Sequence, residues 1–225
     1  MNTVALLLAI LLANCIPVHA ACHDYVLINT HGTGEPQGES IGFRGMISDV
    51  LAALPNGVRY DTVYPAAPDL TQQTTFIGSS DIGNEIQQGL QSCPEQRYAL
   101  LGYSQGATVT NEVLQAFSPT SAQGQSIEAI VLVGNPYHRP NKAGNVDEDC
   151  GTSTAGASGV LLPTANYTIP DAWYATGKVR DICFTDDPVC SGYDLGTLFS
   201  PSHFFYGFSK SVQECGREFL VEMLS

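Results

Sequence analysis

The sequence predicts an α/β fold, a three-layer sandwich with a central, mainly parallel sheet, on three observations. Short apolar runs alternate with helical patterns, the order that parallel strands need because each crossover must return over the sheet. A Gly-x-Ser-x-Gly pentapeptide, Gly102-Tyr103-Ser104-Gln105-Gly106, falls between one such run and one such helix. The chain has 225 residues, 44% of them hydrophobic, enough for a single domain with a full core.

The elements follow in order. Residues 1–20 read as a signal peptide. Val4 to Ala13 is an unbroken apolar run, too short to span a bilayer, and Pro17-Val18-His19-Ala20 suits a cleavage site. The leader has no Lys or Arg, an imperfect match, and residues 21–225 remain as the single domain. Tyr25 to Asn29 is a short buried strand. Phe43, Met46, Ile47, Val50, Leu51 and Leu54 then recur at helical spacing until Pro55-Asn56-Gly57 stops them. Val58 to Tyr64 alternates like a strand, and Ile82, Ile86, Leu90 and Cys93 mark a second helix. Arg97 to Leu101 is a strand leading into the serine pentapeptide. Ala107 to Phe117 is a helix with Val109, Val113, Leu114 and Phe117 on one face. Ile127 to Val133 and Lys178 to Phe184 supply two more strands. Val212, Cys215, Phe219, Leu220 and Met223 form a closing amphipathic helix. Pro136 to Thr168, rich in Gly, Asn, Ser and Thr, is a long decorating loop. No internal repeat or linker divides the chain.

Charge and cysteines bound the function. A net charge of −13 argues against nucleic acid or anionic lipid as partner and suits solubility in an acidic medium. No further apolar stretch is long enough for an integral membrane span. Of seven cysteines, Cys15 falls in the leader, leaving Cys22, Cys93, Cys150, Cys183, Cys190 and Cys215. An even set in a secreted chain implies three disulfides, and none of the spacings suits zinc. Asn166-Tyr167-Thr168 is a glycosylation sequon. Asp147-Glu148-Asp149 lacks the ligand spacing of a calcium loop and reads as a solvated loop.

The pentapeptide points to chemistry. A serine at a sharp strand-to-helix turn is presented at the carboxyl end of a sheet, and the first helical amides can stabilise negative charge beside it. A serine hydroxyl needs a base, and the base an orienting acid. Two histidines lie downstream, His138 and His203. The order Ser, then acid, then His favours His203, with Asp181, Asp186, Asp187 and Asp194 as candidate acids. Asp186 and Asp187 follow the last strand, where functional loops gather. An oxyanion hole would use the Gln105 amide and the loop Thr30-His31-Gly32-Thr33-Gly34-Glu35-Pro36, where Thr33 could add a hydroxyl. Taken alone, that loop would also pass as a plain Gly-rich turn.

These residues together resemble the cutinase family, which also contains acetylxylan esterases. Gly102 to Ala107 resembles its elbow and Gly32-Thr33-Gly34-Glu35 its oxyanion loop. Cys183-Phe184-Thr185-Asp186-Asp187-Pro188-Val189-Cys190 resembles its disulfide-closed aspartate loop, and His203-Phe204-Phe205-Tyr206 its histidine segment. The resemblance, from Cys22 to the C-terminus, implies a lidless α/β-hydrolase. It makes Ser104 the nucleophile, Asp187 the acid and His203 the base, with Thr33 and Gln105 in the oxyanion hole. It also implies disulfides Cys22–Cys93 and Cys183–Cys190, which leaves Cys150 with Cys215. The sequence departs from the family in having Asp186 where glycine is usual and His31 where Arg is common. The segment between Asp187 and His203 is also longer.

The expectation is therefore a secreted, monomeric serine esterase with no cofactor and no metal, acting on an ester-bearing plant polymer. Leu195, Leu198 and Phe199 could rim the site and favour cutin or other aliphatic esters, or could pack inward as core. Val63-Tyr64-Pro65-Ala66 resembles the acetylxylan esterase branch, which is the alternative. The single Trp173 offers little support for a sugar-stacking platform. A binding protein that keeps the fold without catalysis is the competing class.

Overall fold

The computed structural model describes residues 22–69, 71–164, 166–192 and 200–225. The leader expected over 1–20, the candidate acid Asp194 and the rim residues Leu195, Leu198 and Phe199 lie outside them. In chain order the main elements are β1 (Tyr25–Thr30), α1 (Met46–Ala53), β2 (Gly57–Asp61), α2 (Thr75–Ser92), β3 (Arg97–Tyr103) and α3 (Gln105–Ala116). They continue with α4 (Ala122–Ser126), β4 (Ile127–Val133), β5 (Asn145–Val146), α5 (Asp171–Tyr174), β6 (Val179–Ile182) and α6 (Lys210–Leu224).

The six strands form one parallel sheet in the order β2-β1-β3-β4-β6-β5. Helices cover both faces, and the two-residue period of the strands sorts side chains between them. Tyr25, Leu27, Ala99, Leu101, Val131 and Val133 pack with Met46, Ile47 and Val50 of α1 and Val212, Phe219 and Leu220 of α6. Val26, Ile28, Tyr98, Leu100, Ile130 and Leu132 pack with Ile82 and Ile86 of α2, Val109 and Val113 of α3, and Trp173. Each such aliphatic side chain, fully buried, contributes roughly 1.5–3 kcal/mol. Trp173 is structural: its Nε1 donates to the Leu114 and Phe117 carbonyls at 2.9 and 3.0 Å.

Some boundaries differ from the sequence pattern. The first helix starts at Met46 because Ile41–Phe43 forms a 3-10 turn, with Ser40 capping Gly42, before Gly45 opens α1. The second strand ends at Asp61, after which Tyr64 turns to donate its hydroxyl to the His31 carbonyl. The decorating loop contains strand β5, too short to carry an alternation. Disulfides join Cys22 to Cys93, Cys150 to Cys215 and Cys183 to Cys190. The second ties the decorating loop to α6.

Asp147 corrects the solvated-loop reading. It is buried and accepts from the amides of Asp149, Gly151 and Ser153 and from the Ser153 hydroxyl. Burial opposes its charge, yet those donors win and hold the carboxyl below its usual range. Among the described residues, no group of His, Cys, Asp and Glu could hold a metal ion, and no helix is long and apolar enough to cross a membrane.

Candidate active site

Strands β1, β3, β4 and β6 end on one edge of the sheet, and the loop after each supplies part of a single site. Between β1 and β3 the strand order reverses direction, the crevice where open sheets of this type bind ligands.

Ser104 stands between β3 and α3 with φ 54° and ψ −117°, a left-handed conformation rare for a residue with a side chain. Its amide donates to the Val133 carbonyl at 3.0 Å, and its carbonyl accepts from Ala107 at 2.9 Å, so the neighbouring strand and helix hold the strained turn. The flanking glycines are steric requirements. A Cβ on Gly102 would lie 2.6 Å from the Gly106 carbonyl oxygen, and one on Gly106 only 2.2 Å from that of Thr30.

His203 lies on a 3-10 turn, Ser202–Phe204, ahead of α6. Its Nε2 is 2.8 Å from Ser104 Oγ and its Nδ1 2.8 Å from Asp187 Oδ2. With Nδ1 carrying the proton, it donates to the carboxylate while Nε2 accepts from the serine. Asp187 is fully buried and also accepts from the Val189 amide at 2.8 Å and the Tyr206 hydroxyl at 2.7 Å. Its neighbour Asp186 is exposed and accepts instead from Ser200 Oγ at 2.8 Å. Of the other candidate acids, Asp181 pairs elsewhere. So does His138, whose Nδ1 is 3.1 Å from Asp181 Oδ1.

Two further groups steady the imidazole. The Tyr103 ring stacks on it with centroids 5.5 Å apart, and the Tyr103 hydroxyl donates to the His203 carbonyl at 2.8 Å. Burial, reinforced by Glu35 and Asp187, pushes that phenol well above its ordinary range, so it remains a donor. Gly134, at φ 60°, backs the ring so closely that a Cβ there would meet His203 Cε1 at 2.8 Å.

The loop after β1 completes the edge. Gly32 comes so near the elbow that a Cβ on it would be 3.2 Å from Ser104 Cβ. The next residue, Thr33, is exposed, and its hydroxyl has no partner among the described residues. Gln105 opens α3, so its amide has no acceptor within the helix. Its side chain is spent structurally, Nε2 donating to the Ala67 carbonyl at 3.1 Å. Gly34 donates to the adjacent Ala66 carbonyl at 2.8 Å, which brackets the loop after β1 and the elbow to one segment.

Sequence reasoning passed over several supporting residues. Glu35 staples the loop after β1, accepting from the Gly32 amide, from Ser40 Oγ at 2.9 Å and from the Ile41 amide at 2.7 Å. Glu148 accepts from the Thr185 amide at 2.9 Å and hydroxyl at 3.1 Å, joining the decorating loop to the Asp187 loop. His31 is buried against Tyr64, and burial holds it below the ordinary imidazole range despite Glu35 and Asp61. Only His31 among these is buried; Glu35 and Glu148 stay partly exposed, so their polarity carried no signal in the sequence. Asn166 is exposed.

A cutinase family profile matches residues 21–224. Carboxylesterase Culp1 of Mycobacterium tuberculosis is 30% identical over 174 residues, covering 76% of this chain and 70% of that protein. A novel cutinase-like protein from Cryptococcus sp. aligns at TM-score 0.82 and 39% identity, over 92% of this chain and 97% of the other. The catalytic core domain of acetyl xylan esterase from Trichoderma reesei aligns at TM-score 0.71 and 21% identity, over 90% and 100% of the two chains. At that identity the likeness is one of fold.

Proposed function

This chain belongs to the cutinase family, and on that premise we propose that residues 21–225 form a secreted serine esterase that cleaves aliphatic polyesters of the cutin type. The family makes it a carboxylic ester hydrolase. The observation that carries the catalytic reading is the unbroken chain Asp187–His203–Ser104, with both contacts at 2.8 Å, on the carboxyl edge of the sheet.

In this reading Ser104 Oγ attacks the ester carbonyl carbon as its proton passes to His203 Nε2. The carbonyl oxygen takes the negative charge and is met by the Gln105 amide and Thr33, each donor worth about 2.7–4 kcal/mol in the transition state. Collapse of the tetrahedral intermediate breaks the carbon–oxygen bond, and His203 returns the proton to the departing alcohol. A water then attacks the acyl-enzyme, giving one proton to His203 Nε2. The second collapse restores Ser104 and releases the acid. Asp187 keeps the imidazole in the required tautomer throughout.

Apolar surface beside the site supports the substrate class. Phe204, Phe205 and Phe208 are 63%, 48% and 63% exposed, and Phe204 meets the His203 ring edge-on with centroids 5.7 Å apart. Such a rim suits an insoluble aliphatic surface better than an acetylated sugar. Three disulfides and an exposed sequon at Asn166 support secretion after loss of the leader, with Asn166 glycosylated.

Replacing Ser104 with Ala is expected to lower turnover of p-nitrophenyl butyrate by roughly 10^4-fold or more without unfolding the protein. Substantial residual activity overturns the assignment. A chain-length series of p-nitrophenyl esters beside cutin and acetylated xylan tests the substrate. Activity confined to acetate esters would put acetylxylan esterase in its place.

A further inference from the structure

We propose that Tyr206 is a positioning residue for this reaction, its phenol holding the Asp187 oxygen on which His203 Nδ1 rests and setting how strongly that carboxylate draws on the imidazole. The inference rests on the Ser104–His203–Asp187 reading and extends it to a fourth side chain.

The geometry is specific. Asp187 Oδ2 accepts from His203 Nδ1 at 2.8 Å and from the Tyr206 hydroxyl at 2.7 Å, while Oδ1 takes the Val189 amide. The phenol oxygen in turn accepts from the Phe184 amide at 3.0 Å. Tyr206 thus ties the first residue after the Cys183 bridgehead to the carboxylate inside the same small loop, and to the turn that carries His203. It is 1% exposed, so it touches Asp187 and the loop rather than any substrate. Burial, then the charge of Asp187, pushes the phenol well above its ordinary range, so it donates throughout the working pH range.

Among the described residues, the titratable and charged groups near this pair come from its own segment and from the strands and loops packed against it. From its own segment comes His203, and from the loop after β6 come Asp187 and the exposed Asp186. Asp181 on β6 adds negative charge nearby. From β3, the Tyr103 ring lies with its centroid 6.1 Å from that of Tyr206 and is turned to the His203 carbonyl. Glu35 acts on Tyr103 from the loop after β1. Among these groups, only His203 and Tyr206 donate to Oδ2. Taking away the phenol hydroxyl leaves the full carboxylate charge to His203, which then holds its proton more strongly.

The hydroxyl can be removed without the ring. The ring packs on Phe184 with centroids 4.7 Å apart, and Phe preserves that contact. Y206F is expected to lower kcat about tenfold with KM changed by less than about twofold, and to move the acidic limb of the kcat/KM profile upward by about half to one pH unit. A fluorotyrosine at position 206, a stronger donor of nearly the same shape, is expected to move that limb downward. A purely structural tyrosine would alter thermal stability and leave the limb in place. Limbs unmoved in both variants overturn the proposal. Fluorophosphonate labelling of Ser104 and the activity of S104A are measured alongside. If S104A stays active, the triad reading itself fails. If labelling and S104A behave as stated while the limb stays fixed, only the role of Tyr206 falls.

Discussion

Among the described residues, two buried histidine–aspartate pairs differ mainly in what the second imidazole nitrogen meets. In His203–Asp187, Nδ1 rests on the carboxylate and Nε2 reaches Ser104 Oγ, with the imidazole side chain 10% exposed. In His138–Asp181 both side chains are fully buried, and His138 Nε2 is closed off by the Thr154 carbonyl at 3.3 Å. Asn135 Nδ2 donates to the other Asp181 oxygen at 2.8 Å, so the pair sits in a sealed polar cluster. Under the proposed function, the same two residue types thus make a catalytic relay where one nitrogen is left facing the Ser104 hydroxyl. They make a structural rivet where both are occupied.

The sharpest test of that contrast exchanges the same substitution between the pairs. H203Q is expected to lower kcat/KM by roughly 10^4-fold with little change in melting temperature. H138Q should do the reverse, because removing one partner of a buried pair costs about 3–5 kcal/mol and leaves Asp181 uncompensated. Its kcat/KM on the folded fraction should stay near wild type. Equal activity losses in the two variants would break the distinction.

Acidity sharpens the comparison further. Burial works against charge on His138, but Asp181 and its hydrogen bonds win and raise the imidazole above its ordinary range. A folded-state value above the unfolded one means the pair's stabilisation is fully present below the unfolded value, near 6.5. It is lost as pH rises through the folded value. Urea titrations at a series of pH values should show that decline in the wild type and a flatter profile in H138Q. A wild type whose stability is level across that interval would remove the rivet's charge from the account.

How much of this was legible in the sequence depends on what each residue answers to. Strands β1, β3 and β4 lie in the middle of the sheet, buried on both faces, so their apolar runs stood out. Strand β5 is two residues long, and its pairing is dictated by β6 rather than by its own pattern. The N-terminal start of α2 was hidden because Thr74 makes no side-chain cap and Ser79 and Ser80 break the apolar stripe. In the site, Ser104 announced itself because the elbow's steric demands are local. Choosing between Asp186 and Asp187, or between His138 and His203, depends on burial and partners contributed by distant elements. Tyr206 closes the segment His203-Phe204-Phe205-Tyr206, yet only the folded arrangement brings its hydroxyl to Asp187.

The smallest expected effect concerns the bond between the two regions. Glu148 belongs to the decorating loop that also carries His138, and it accepts from the amide and hydroxyl of Thr185, two residues before Asp187. Ser153 adds a hydroxyl contact to Thr185 at 3.2 Å. These contacts are partly solvent-exposed, so E148Q should cost about 0.5–1 kcal/mol of stability and less than about threefold in kcat/KM. If the sealed pair influences catalysis only by holding this loop, H138Q adds no activity loss to E148Q. The double variant then matches E148Q in kcat/KM while adding the two stability costs. A multiplicative activity loss in the double variant would mean that His138 reaches Asp187 by a second route, and the most direct one runs along β6 from Asp181 to Cys183.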